Sequence, residues 1–104
     1  DINKDGYDDI IIGAYGRNSN LGAAYAIYGG PKSSIANINL STTVLDPLRT
    51  GFSVFGTVAS GQLGNAVSAA DLNNDGFSDL LIGAYGENTN TGVVYALVYS
   101  KDWR

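Results

Sequence analysis

The 104-residue chain has no cysteine and no histidine. Without cysteine there are no disulfide staples, no thiol redox chemistry and no thiolate metal sites; without histidine the usual ligand for zinc or copper and the commonest general base are also missing. Any metal bound here must be held by oxygen. Apolar runs are short, and none approaches the roughly 18 residues that argue for a membrane span. No charged-then-apolar signal segment opens the chain, which starts at Asp1 without an initiator methionine, as a processed protein or a cut fragment would. No segment sustains a helical period, so very little helix is expected.

The 44% apolar content is that of a folded protein with one small core, a single domain or a piece of one. The net charge of −4 is local in origin, because seven of the ten acids (Asp1, Asp5, Asp8, Asp9, Asp71, Asp75, Asp79) fall in two short stretches. Elsewhere Arg17, Lys32, Arg49, Lys101 and Arg104 stand against Asp46, Glu87 and Asp102. No basic stripe marks a nucleic-acid surface.

The two acidic stretches are copies. DINKDGYDDIIIGAYGRNSNLGAAYAIY aligns with DLNNDGFSDLLIGAYGENTNTGVVYALV at an offset of 70 residues, with 15 of 28 pairs identical. Most differing pairs keep their character, as in Ile2 with Leu72 or Tyr7 with Phe77, which is the mark of one structural unit used twice. Each copy runs from an acidic loop into an apolar run (Asp9 to Ala14; Asp79 to Ala84), a Gly/Asn connector and a second apolar run (Ala23 to Tyr28; Val93 to Tyr99). Short runs rich in Ile, Val and Tyr between turn residues read as strands. The glycines at both ends of each connector, Gly16 with Gly22 and Gly86 with Gly92, are expected to supply positive φ.

Leu63 to Ala70 adds a strand of small side chains before the second loop. The first copy lacks its equivalent. The stretch from Gly30 to Thr50 reads as a long connection with a short strand near Ser41 to Leu45, and Phe52 to Val58 reads as an outer strand. Two repeats follow, 1–60 and 61–104, the second with strands at 63–70, 80–85 and 93–99. Four-stranded antiparallel units recurring along an all-β chain point to the blades of a propeller.

Calcium takes six to eight hard oxygen ligands, and one tight acidic loop can deliver several from alternate positions. In the first loop Asp1, Asn3, Asp5 and Asp9 would present side-chain oxygens and Tyr7 a backbone carbonyl. In the second, Asp71, Asn73, Asp75 and Asp79 do the same, with Phe77 supplying the carbonyl. Gly6 and Gly76 mark the sharp turn. A lone cluster of Asp, Asn and Gly reads as a solvated turn; two in register, with side-chain ligands at positions 1, 3, 5 and 9, read as two calcium sites. A helical calcium hand shares the opening pattern but needs a bidentate acid at position twelve, where this chain has Ile12 and Ile82.

The stretch LGNAVSAADLNNDGFSDLLIGAYG, Leu63 to Gly86, resembles the FG-GAP repeats that build the β-propeller of integrin α subunits and of many bacterial surface or secreted proteins. Leu63-Gly64 stands for the family's Phe-Gly, and Gly83-Ala84-Tyr85, like Gly13-Ala14-Tyr15, for its Gly-Ala-Pro. The resemblance spans about two thirds of the chain. It implies a calcium-binding partial propeller, extracellular or on a cell surface, that serves as a structural, adhesion or ligand-recognition scaffold for a protein or carbohydrate partner. The alternative is an accessory propeller domain of a secreted hydrolase such as a phospholipase. No catalysis of the chain's own is expected, since Ser53, Ser60 and Ser68 have no histidine partner and the carboxylates are assigned to metal. Tyr25, Tyr28, Tyr95 and Tyr99 read as sheet packing rather than a recognition surface.

In blade order, the chain would supply strands two to four of one blade and one to three of the next. Open edges would then recruit further blades, either more copies of this chain or a larger parent propeller. The competing arrangement is a six-stranded monomer that packs its two sheets together.

Overall fold

The computed structural model describes residues 1–31, 37–41, 44–46 and 49–98. Six strands make up its framework: β1 (Ile10–Ala14), β2 (Ala23–Ile27), β3 (Gly51–Phe55), β4 (Leu63–Ala70), β5 (Asp79–Ala84) and β6 (Val93–Leu97). They form two antiparallel three-stranded sheets, β1-β2-β3 and β4-β5-β6. These are partial propeller blades: among the described residues the first sheet has no strand inside β1 and the second none beyond β6. Among those residues no helix is long and apolar enough to cross a membrane.

Several elements differ from the reading of the sequence. The outer strand ends at Phe55 rather than Val58: Gly56 still donates its N–H in register to the Gly22 carbonyl, but the next carbonyl, that of Leu21, accepts the Leu63 N–H instead. The strand looked for near Ser41 to Leu45 is absent at Ser41, Val44 and Leu45; Thr42 and Thr43 lie outside the described residues, as does Tyr99. The connectors between paired strands take positive φ in their middles, at Asn18, Ser19 and Asn20 and at Asn88, Thr89 and Asn90, and also at Gly22 and Gly92. Gly16 and Gly86 are right-handed. At Gly86 the requirement is space: a Cβ there would stand 2.0 Å from the Ser60 carbonyl oxygen.

β2 is the buried centre of the first sheet. Its alanines Ala24 and Ala26 face the second sheet in a core shared with Ile2, Tyr28, Phe52, Leu63, Leu80, Ile82 and Ala84. Its other face, Ala23 and Tyr25, is covered by Leu40 and Leu45 of the long connection. Alternate residues of one strand are thus buried on opposite sides, as the two-residue period of a strand requires.

The sheets approach closely because glycines lie where β1 and β4 cross. A Cβ at Gly13 would stand 2.1 Å from the Gly64 carbonyl oxygen, and one at Gly64 would stand 2.2 Å from that of Ala23. The two sheets share one core, which a six-stranded monomer and a pair of neighbouring blades would both have. That core leaves the far face of the second sheet open, however, with Val94 71% exposed and Ala66, Ser68 and Ala96 also exposed.

Gly13→Ala should destabilise the chain by about 2 kcal/mol through overpacking of this crossing. Urea unfolding of the variant beside the parent chain measures it, and an unchanged midpoint would show that the crossing yields freely.

Candidate metal centres

Each acidic loop is wrapped by its own carboxylates. In the first, Asp1 accepts the N–H of Asp5 at 3.0 Å through Oδ1 and that of Gly6 at 2.8 Å through Oδ2, and Asp5 accepts the N–H of Tyr7 at 2.9 Å. In the second, Asp71 accepts from Asp75 at 3.1 Å and Gly76 at 2.9 Å, and Asp75 accepts from Phe77 at 3.0 Å. The backbone repeats as well: φ is +59° at both Lys4 and Asn74 and +89° at both Gly6 and Gly76. The turn at position six needs the left-handed freedom that glycine has.

The last carboxylate of each loop closes it. Asp79, wholly buried, accepts the Leu72 N–H at 2.8 Å; Asp9, half-buried, accepts from Ile2 through Oδ2 and from Gly29 at 2.8 Å through Oδ1. A buried carboxylate is tolerable when hydrogen bonds satisfy it. The Asp9 bond to Gly29 also ties the loop to the residues just after β2.

Hydrogen bonding to the charged form shifts the titration of Asp71, whose carboxyl is held below the ordinary aspartate value, chiefly by the Gly76 N–H. A depressed folded pKa adds stability that is present above the ordinary aspartate range and is lost as the pH falls through the lowered value.

The carboxylates at positions 1, 5 and 9 of each loop are turned toward backbone N–H groups. Among the described residues no group of three or more Asp or Glu side chains converges on one point. A carboxylate that accepts one or two N–H bonds keeps lone pairs for an ion. One observation favours an ion directly. Asn3 Oδ1 is buried and has no hydrogen-bond partner, which for an amide oxygen is costly unless something else binds it. An amide oxygen is a hard ligand of the kind calcium takes.

Sequence reasoning missed several contributors. Ile2 is buried in the shared core, whereas its counterpart Leu72 is 50% exposed, so the first loop is anchored and the second lies open. Lys4 crosses from the first loop to the second, with Nζ 5.6 Å from the centre of the Phe77 ring. The signal was available, since Lys4 and Asn74 are one of the few chemically unlike pairs between the loops. Equivalent positions after the loops also diverge: the Arg17 guanidinium lies 4.9 Å over the Phe55 ring, while the buried Glu87 accepts the Tyr95 hydroxyl at 2.6 Å and pushes that phenol's pKa up.

The FG-GAP repeat family profile matches residues 1–28 and 63–97, which takes in both loops and five of the six strands. The chain belongs to the FG-GAP repeat family. It is 37% identical over 86 residues to human integrin alpha-11, covering 83% of this chain and 7% of that protein. Integrin alpha pat-2 of Caenorhabditis elegans is 36% identical over 115 aligned positions, with 98% of this chain and 9% of the relative covered. Mouse phosphatidylinositol-glycan-specific phospholipase D is 33% identical over 112 aligned positions, with 100% and 12% covered. This FG-GAP chain thus spans about a tenth of the length of the curated relatives it matches. No solved structure gives a significant match.

Asp79→Ala should destabilise the FG-GAP chain by about 2 kcal/mol even in excess chelator, because it strands the Leu72 N–H. Denaturant titration of both proteins in chelator tests this; equal midpoints would mean that the buried carboxylate serves only a metal.

Proposed function

We propose that this chain is a calcium-binding segment of an extracellular β-propeller that acts as a structural and ligand-recognition scaffold rather than as a catalyst. Two ions bind per chain, one in each repeat, with the repeats spanning 1–60 and 61–104. The ligands are Asp1, Asn3, Asp5, Asp9 and the Tyr7 carbonyl in the first loop, and Asp71, Asn73, Asp75, Asp79 and the Phe77 carbonyl in the second. The observation that carries this reading is the unpartnered, buried Asn3 Oδ1, at a ligand position of a loop whose wrap is repeated bond for bond 70 residues later. Calcium would neutralise the loop carboxylates and would fix the hairpins that follow. Loops of modest affinity suit the millimolar calcium found outside cells.

The partner is a protein or a carbohydrate. A cavity of about 440 Å³ beside the first loop, lined by Tyr7, Asp8, Tyr28, Arg49 and Thr50 among others, offers the mix of aromatic and charged groups that recognition uses. Tyr25 and Tyr28 are buried, which supports packing as their main role. The open face of the second sheet supports further blades. Leu81, Gly83, Val94 and Ala96 repeat Ile11, Gly13, Ala24 and Ala26, the residues with which the first sheet meets the second. A face that is core in one copy and open in the other awaits a neighbour, from the same protein or another copy.

A second reading, an accessory propeller of a secreted hydrolase, is favoured by the phospholipase D match, which covers the whole chain. Sequence flanking the segment separates the two, because a catalytic domain beside it would be plain.

Bound-metal analysis and calorimetry in calcium-replete buffer should give two ions per chain. Asp75→Ala should abolish the second and spare the first, and a stoichiometry near zero for the parent chain would sink the reading. Chelation should lower the melting temperature, since an ion at a hundredfold excess over Kd adds about 2.7 kcal/mol per site. Light scattering should show assembly beyond a monomer; an 11 kDa species at every concentration would count against the need for neighbouring blades.

A further inference from the structure

Lys4 stands in the first loop, but its side chain lies on the second. A Cβ at Gly76 would stand 2.7 Å from Lys4 Nζ and 3.2 Å from Cε, and the same ammonium sits 5.6 Å from the Phe77 ring centre. Gly76 and Phe77 are the turn and the carbonyl position of the second loop. We propose that Lys4 couples the two loops electrostatically, so that the ammonium carried by the first loop lowers the calcium affinity of the second. This rests on the calcium reading of both loops.

The backbone does not ask for lysine here. Position 74, with the same φ of +59°, is asparagine, a residue better suited to left-handed backbone. What lysine adds is reach and charge. Among the described residues Lys4 forms no ion pair, so its charge is not spent on a single carboxylate. It acts on the second loop as a whole, whose nine residues carry Asp71, Asp75 and Asp79, the first two exposed.

The sign follows from the two states of that loop. With no ion, the ammonium offsets repulsion among the three carboxylates; with a divalent cation in place, it repels the cation. Both effects weaken binding. The position of Lys4 is set by the wrap of its own loop, in which Asp1 holds the N–H groups of Asp5 and Gly6. An ion in the first loop would hold Lys4 over Gly76, so filling the first site weakens the second, and by linkage the reverse holds. The effect expected is about threefold in the second Kd at low salt, shrinking as salt screens it.

Calorimetric titration of the full chain with calcium chloride, at low and at high salt, tests the coupling. Lys4→Met should tighten the second site about threefold at low salt and much less at high salt, whereas Lys4→Arg should leave it as in the parent. Lys4→Asn, which copies the second loop, guards against a folding defect peculiar to methionine and should behave like it. In an Asp75→Ala background, where only the first loop binds, the titration reads what Lys4→Met does to its own loop, and the tightening at the second site should exceed it. Two sites that ignore the loss of the lysine charge, or an arginine variant that binds as tightly as the methionine one, would overturn the coupling and leave the calcium reading standing. A parent chain that takes up no calcium would remove both.

Discussion

The crossing of β1 over β4, made possible by Gly13 and Gly64, sets the spacing on which the other relations in this structure rest. Sheets that pack through ordinary side chains stand about 10 Å apart. Here carbonyl oxygens occupy the places that Cβ atoms would need, so the strands meet more closely than that at this point. The core can therefore be built largely from alanine on one side, Ala24 and Ala26, against Leu80, Ile82 and Ala84 on the other. The same approach buries Ile2 and brings the first acidic loop within reach of the second.

Each loop solves the same electrostatic problem by local means. Carboxylates crowded within nine residues, four in the first loop and three in the second, repel one another, and the backbone answers by turning successive N–H groups toward them. Asp1 and Asp71 each hold the turn that follows, while Asp9 and Asp79 reach back to the second residue of their loop. The wrap is thus preformed at the level of single hydrogen bonds. The buried Asn3 oxygen is the point where N–H groups leave the job unfinished. The loops differ in anchoring: Ile2 ties one to the core, while Leu72 leaves the other at the surface.

The repeat also explains why the two sheets are alike in sequence yet unlike in environment. The first has both faces covered, by the second sheet and by Leu40 and Leu45; the second has one face covered and one open. The connectors between paired strands differ as well. Arg17 lies over exposed Phe55, whereas Glu87 is buried and bound to Tyr95.

The sequence by itself determined the all-β class, the two loops with their ligand-type residues, and the family, because these are written in local spacing: carboxylates at fixed offsets, glycine at position six, and strand-length apolar runs between turns. It also placed β4 as a strand of small residues suited to close packing. It left other features open. The end of β3 at Phe55 depends on distant Leu63 donating to the Leu21 carbonyl, and Gly86 is explained by the Ser60 carbonyl rather than by its own φ. Nothing in a nine-residue window says that Asn3 Oδ1 will be buried, that Asp79 will be wholly enclosed, or that Lys4 will rest on Gly76 and Phe77. Those outcomes were decided by tertiary structure, since burial and through-space charge depend on which distant strand lies alongside, and that was fixed by the glycine crossing of the two sheets.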